Sequence, residues 1–305
     1  MGDVSEKRKG ELYLFSEIVL WAFFPIVITL SYAVLPSLVS LAWSAVFASI
    51  FLGCLVLYRK VWHEIWNMTL WKYLFFITLF IAVLYYVLYF LGLERTTAGN
   101  AALISQFEIF STFIFFNVVR REYISAAHMV GAALMVVGVF IVLTPNFSGI
   151  NMGDFFILGA ALFAPIGNLY QQKARRIASS EVIVFLRTLL SIPVFFALAY
   201  LLNVHSSAGD IRSSLLLLMV NGILFFGLQK ILFLEALHRI AITKIMAIGA
   251  AGPLLTLMFA WVFLQQVPNV WQLTSLVPLI AGTLLLTDQI PLRRGGDHTT
   301  ATRAG

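Results

Sequence analysis

Apolar residues in this chain come in runs about as long as a membrane helix needs, parted by short polar breaks. Crossing a hydrocarbon layer takes about 20 mostly apolar residues. Ten such runs fit: 12–32, 39–58, 70–92, 98–119, 125–144, 152–173, 181–203, 213–236, 242–264 and 270–287. The longer connection, around 204–212, holds Ser206, Ser207, Gly209 and Asp210, ordinary turn residues. The pattern predicts an all-α membrane protein of ten transmembrane helices with no soluble domain. Beyond Asp288, Gly295, Gly296 and several Thr predict a disordered tail.

The pattern also repeats. At an offset of 144, Leu93 falls on Leu237, Arg95 on Arg239, Thr112 on Thr256 and Gly138 on Gly282. Each copy contains five spans, an odd number, so the second copy must sit upside down in the membrane. Inverted repeats of this kind are a transporter device. The expected organisation is a cytoplasmic tail at 1–11, five-helix repeats at 12–147 and 148–287, and a second cytoplasmic tail at 288–305.

Composition agrees. The chain is 61% hydrophobic and 11% charged, with a mean hydropathy of +0.94. A soluble domain carries about 25% charged residues, so too few polar side chains exist here to coat a water-facing surface. The net charge of +6 does not point to nucleic acid, because the basic residues sit in short clusters between spans. Starting inside, the segments on the cytoplasmic side carry Lys7, Arg8, Lys9, Arg59, Lys60, Lys72, Arg120, Arg121, Lys173, Arg175, Arg176, Arg239, Lys244, Arg293, Arg294 and Arg303. External segments carry only Arg95 and Arg212; Arg187 and Lys230 lie within spans. This asymmetry predicts both termini in the cytoplasm of a cell (inner) membrane protein. The first run is too long for a cleaved signal peptide and reads as an uncleaved helix. Cys54 is the one cysteine, and no histidine stands at metal-ligand spacing, so no cofactor is expected.

The second copy, LEALHRIAITKIMAIGAAGPLLTLMFAWVFLQQ, carries Pro253 in its penultimate span, a polar break, and then a Gly-containing final span. In this the chain resembles the EamA-type branch of the drug/metabolite transporter superfamily. The first copy keeps Glu122 after Arg120 and Arg121. It departs at SQFEIF, where Glu108 stands close to the family's usual Pro. The second departs at Gln265 and Gln266, where Glu is usual. The resemblance implies ten helices in two inverted repeats and transport, most often export, of amino acids, metabolites or drugs. It implies no shared catalytic motif.

Repeat transporters bind substrate near the midplane, beside helix irregularities. Pro25, Pro165 and Pro253 are expected to interrupt three spans, freeing carbonyls that are tolerated beside protein or a water-filled cavity. Glu108 falls midway along the fourth span. A charged group there costs roughly 2.5–3.5 kcal/mol on insertion scales, so it should face a polar interior. It then serves as a counter-charge for an ammonium group, as a proton carrier, or as a protonated structural residue bonded to a neighbour. Ser105 and Thr112 share its face by spacing.

Glu17, Arg187 and Lys230 lie in the cytoplasmic third of their spans. Arg187 and Lys230 either snorkel to the headgroups or pair with Glu17 as an inner gate. On a regular helix of about 100° per residue, Lys230 lies about 180° from Asn221, which favours Asn221 and Gln229 for the lumen. Tyr85 and Tyr89 share a face, with Tyr86 pointing elsewhere; their rings either hold an organic cation or pack the bundle. Asn168 follows Pro165 and is the expected ligand on the sixth span, with Gln171 and Gln172 nearer the cytoplasm. Trp21 shares the face of Glu17. Trp62, Trp66, Trp71 and Trp271 read as interfacial belt residues. Gly131, Ala132, Gly138, Gly159, Ala160, Ala161, Gly249 and Ala250 read as packing positions.

These features predict a secondary transporter, with a small-molecule substrate and the lipid bilayer as its partners. No Gly-Lys-Ser/Thr phosphate loop occurs, which removes ATP as the direct drive; proton coupling through Glu108 stays open. The expected substrate is a small polar or amphiphilic metabolite such as an amino acid, the alternative a cationic drug or amine. A polytopic lipid enzyme fits less well, because no carboxylate pair or His cluster stands at a membrane surface. A channel or scramblase is the third alternative.

Overall fold

A computed structural model describes residues 2–120, 125–144 and 151–289. Arg121, Glu122, Arg293, Arg294, Arg303 and the expected disordered tail beyond Gln289 lie outside the described residues. Among the described residues, ten helices cross the molecule: α1 (Gly2–Ser31), α2 (Ser37–Tyr58), α3 (Met68–Leu93), α4 (Ala98–Ser105 and Phe107–Arg120), α5 (Ala126–Leu143), α6 (Met152–Ala174), α7 (Ser180–Leu201), α8 (Leu215–Arg239), α9 (Ile242–Gly249 and Gly252–Leu264) and α10 (Val270–Leu286). With 17 residues, α10 is the shortest, at the lower limit for a span. Residues 2–11, expected as a tail, are the first turns of α1.

Helix starts follow capping chemistry. Thr97, Ser125 and Asn151 each accept a backbone N–H at the head of α4, α5 and α6. Asn269 and Gln272 form a reciprocal capping box on α10. In lipid such pairing matters more than in water, because no solvent completes an orphaned donor.

The irregularities fall in corresponding places in the two repeats. The fourth helix breaks at Gln106, and its counterpart α9 breaks at Ala250 and Ala251. The third helix widens into π geometry over Thr78–Tyr85, and its counterpart α8 does so over Asn221–Leu228. Pro253 starts the second half of α9, as expected. Pro25 and Pro165 do not interrupt their helices; α1 and α6 run through them. The carbonyl that Pro165 frees, Ala161 O, is taken by the Ser111 hydroxyl from α4 at 2.7 Å. That bond repairs the defect across the repeat interface, so the helix need not bend open.

Packing follows the pseudo-two-fold. α1 lies against α8 and α9, while α6, its counterpart, lies against α3 and α4. The pairs α2 with α7, α4 with α9, and α5 with α10 each join equivalent helices. The α5–α10 contact is close because Gly131 and Gly282 stack: a Cβ on Gly282 would lie 2.8 Å from Gly131 O. Large apolar side chains such as Leu57, Phe75, Phe140, Trp261 and Val277 point outward, as a lipid-coated exterior requires. Trp62, Trp66, Trp71 and Trp271 are also exposed.

Candidate substrate cavity

A cavity of about 150 Å³ lies between the repeats. Its walls come from α1, α3, α4, α6, α7, α8 and α9, while α2, α5 and α10 stand outside. α4 and α9 meet the cavity at their breaks, through Gln106, Gly249, Gly252 and Pro253. Gln106 Nε2 of one break donates to Gly249 O at the other at 3.3 Å, and such irregular backbone is permitted at membrane depth only beside protein or a polar lumen.

Two carboxylates and two cations face this space: Glu17, Glu108, Arg187 and Lys230. Each carboxylate is held by an amide. Asn168 Nδ2 donates to Glu108 Oε1 at 2.7 Å, and Gln229 Nε2 donates to Glu17 Oε1. Behind Asn168 the bonding continues. Gln171 Nε2 donates to Asn168 Oδ1 at 2.8 Å, and Arg187 Nη1 donates to Gln171 Oε1 at 2.5 Å. A relay thus runs from Glu108 on α4 through α6 to the buried Arg187 on α7. Glu108 sits one residue before the counterpart of Pro253, so its carboxylate occupies the broken part of the fourth helix.

Neither basic side chain snorkels. Arg187 is only 2% exposed. Lys230 turns inward, its Nζ 4.2 Å from the Trp21 ring centroid and 5.7 Å from that of Tyr86. The expectation for α8 is therefore reversed. Lys230 lines the cavity, whereas Asn221 and Gln229 do not. Asn221 Nδ2 instead donates to Ser44 Oγ of α2 at 2.9 Å, and Gln229 serves the cavity indirectly, through Glu17. The reason is the π segment Asn221–Leu228, whose wider turns invalidate an angle counted at a constant helical step.

The third helix shows the same effect. Tyr85 and Tyr89 stack, with centroids 5.8 Å apart and planes 14° apart. Tyr85 lines the cavity, but Tyr89 stands behind it, against Trp21 and Phe24. Tyr86, expected to point elsewhere, lines the cavity and stacks on Phe226. The π segment ends at Tyr85, so two successive rings reach one wall.

Trp21, Ser105 and Asn168 line the cavity. Thr112 is buried away from it, while its counterpart Thr256 lines it. Pro25 and Pro165 are not in the wall. Gly249, expected to serve packing, has nothing within 4 Å of where a Cβ would be and faces the open space. Gln106 and Met246 also line the wall, and no composition signal marks them, because the helix breaks that aim them leave none.

Polar contacts close the bundle at both ends. At the face opposite the start of α1, Asp154 of α6 is fully buried and accepts from Thr96 Oγ1 and from Asn100 Nδ2, the latter at 3.5 Å. Gln272 Nε2 donates to Asn100 Oδ1 at 2.7 Å. At the face where α1 begins, Lys244 Nζ donates to Glu11 Oε1 and Arg239 Nε to Glu6 Oε2, both partly exposed. Among the described residues, no group of three or more His, Cys, Asp or Glu is placed to hold a metal ion.

A model of the EamA-like transporter family matches residues 8–144 and again 151–288, one match per repeat. A curated protein of Synechocystis sp., described as an uncharacterized transporter, is 23% identical over 209 residues; these span 65% of this chain and 60% of that protein's length. A solved crystal structure superposes with a TM-score of 0.67 over 92% of this chain and 96% of the other, at 19% identity, which speaks for the fold alone. With a match in each half and nearly the whole chain covered, this protein belongs to the EamA-like transporter family.

Proposed function

We propose that this protein exports small zwitterionic metabolites, amino acids among them, by alternating access between its two repeats. The observation that carries this reading is the balanced cavity: two carboxylates and two cations around one small space between inverted repeats. A zwitterion complements such a site without leaving a buried charge unpaired. Its ammonium group meets the Glu108 oxygen that Asn168 leaves free, and its carboxylate meets Lys230. Trp21 and Tyr85 pack its apolar part. Export is the direction that the family resemblance implies.

Rocking of the repeats at 12–147 and 148–287 would break one end contact and keep the other. Glu108 is the candidate proton carrier, since it faces the cavity and, among the described residues, is anchored through one oxygen. The Lys and Arg asymmetry supports cytoplasmic termini, and a bacterial origin would make the host the inner membrane. The test is flux in proteoliposomes with a panel of labelled amino acids. Saturable, stereoselective, pH-gradient-dependent uptake is expected. Unsaturable leakage would favour a channel, and flux of organic amines but no amino acid would favour cation efflux.

A further inference from the structure

Organic ammonium groups are held in proteins by aromatic faces beside carboxylates. The cavity has these parts: the Trp21 and Tyr86 rings, with Glu17 and Glu108 lining the same space. Yet the place is taken. Lys230, from α8, puts its own ammonium over the Trp21 ring at 4.2 Å and near Tyr86 at 5.7 Å. Among the described residues this ammonium makes no direct hydrogen bond or ion pair, and its side chain lines the lumen. Its charge is balanced at longer range by two carboxylates that amides already anchor. The second cation is not free in this way, since Arg187 Nη1 is bonded to Gln171.

We infer that Lys230 is a tethered cation that determines specificity: it fills an ammonium subsite, excludes free organic cations, and commits the cavity to substrates that bring a carboxylate. The carboxylate half rests on the zwitterion reading above; the exclusion half does not. A cation entering the wild-type cavity meets a like charge at the one place where rings and carboxylates converge. Removing that charge while keeping the length of the side chain leaves an unoccupied amine site.

The experiment measures binding of radiolabelled tetramethylammonium to the purified full chain in nanodiscs, for wild type, Lys230→Met, Lys230→Gln and Lys230→Arg. The Met and Gln variants are expected to bind at least about tenfold more tightly than wild type, a change of about 1.4 kcal/mol. Lys230→Arg, which keeps the charge, should stay like wild type, and adding Trp21→Ala to Lys230→Met should abolish the gain. A merely structural lysine would not create a new ligand when removed. The inference is overturned if Lys230→Arg gains the same binding, or if folded Met or Gln variants gain none. It is also overturned if wild type itself binds tetramethylammonium as tightly as the neutral variants should, a result that needs no variant to fold. Amino-acid flux is read separately, so a gain of amine binding without any wild-type amino-acid transport would sink the zwitterion reading and leave the exclusion intact.

Discussion

Asn100 and Lys244 stand at the same place in the two repeats, 144 residues apart, and each bonds a carboxylate on the first helix of the other repeat. Asn100 reaches Asp154, and Lys244 reaches Glu11. The geometry is shared but the chemistry is not. Asp154 is fully buried and accepts from the neutral Thr96 and Asn100 side chains, whereas Glu11 and Lys244 are each more than two-fifths exposed. One end of the bundle is closed by a largely buried polar cluster and the other by an exposed ion pair.

That difference predicts unequal latches. An exposed pair is worth about 0–1 kcal/mol and weakens with salt. A hydrogen bond within a buried cluster contributes about 0.5–1.5 kcal/mol and is little screened by salt. In a Cys54→Ser background, Ser105→Cys reports access to the cavity by an impermeant maleimide. Glu11→Gln should raise labelling modestly from the side where α1 begins, and high salt should imitate it. Asn100→Ala should raise labelling more strongly, and from the opposite side. Equal responses at the two faces, or none, would show that these contacts do not gate.

Glu108→Gln keeps the bond to Asn168 in reach but removes the group able to carry a proton. Flux driven by a pH gradient is expected to fall at least about tenfold, while exchange of substrate across equal pH persists. A variant that retains full gradient-driven flux would rule out Glu108 as the coupling group.

Gln171 is the one hydrogen-bond partner found for the Arg187 guanidinium among the described residues. Gln171→Leu should destabilise the protein by about 1–3 kcal/mol, because a buried donor loses its acceptor. Adding Arg187→Met should restore much of that loss, since an apolar pair leaves nothing unsatisfied. Thermal unfolding in detergent, read as a double-mutant cycle, checks this. Simple additivity of the two changes would disprove the coupling.

Two glycines should respond in opposite ways. A Cβ on Gly282 would press on backbone atoms, Gly131 O at 2.8 Å and Met135 N at 3.0 Å. Gly282→Ala is expected to cost about 1–3 kcal/mol through overpacking. Gly249→Ala meets nothing, so its Tm should barely move, yet it intrudes on the cavity and should raise KM. Loss of stability at Gly249 would contradict the open wall described above.

Most of the candidate site was legible as a set of residues. An ionisable group in a span stands out against a lipid-adapted background, which is how Glu17, Glu108, Arg187 and Lys230 announce themselves. Their partners were harder to read. Asn221 and Lys230 were separated by a regular helical count, and the π segment between them changed which one faces inward. Tyr86 was lost to the same error on the third helix. Pro25 and Pro165 resemble Pro253 in sequence but leave their helices whole; in α6, a neighbouring hydroxyl satisfies the carbonyl freed by Pro165.

From the sequence alone came the ten spans, the duplication and hence the inverted pairing of halves. Lipid offers the backbone no partners, so long apolar runs must close their hydrogen bonds within helices, and an odd span count must invert the repeat. What each polar side chain faces was decided only in three dimensions. The direction of a side chain depends on the local winding of its helix, and that winding is set by neighbours, as where Gly222 in the α8 π segment lets the backbone of α2 approach at Ser44. The residue pattern records the need for a polar interior, and packing chooses which residues supply it.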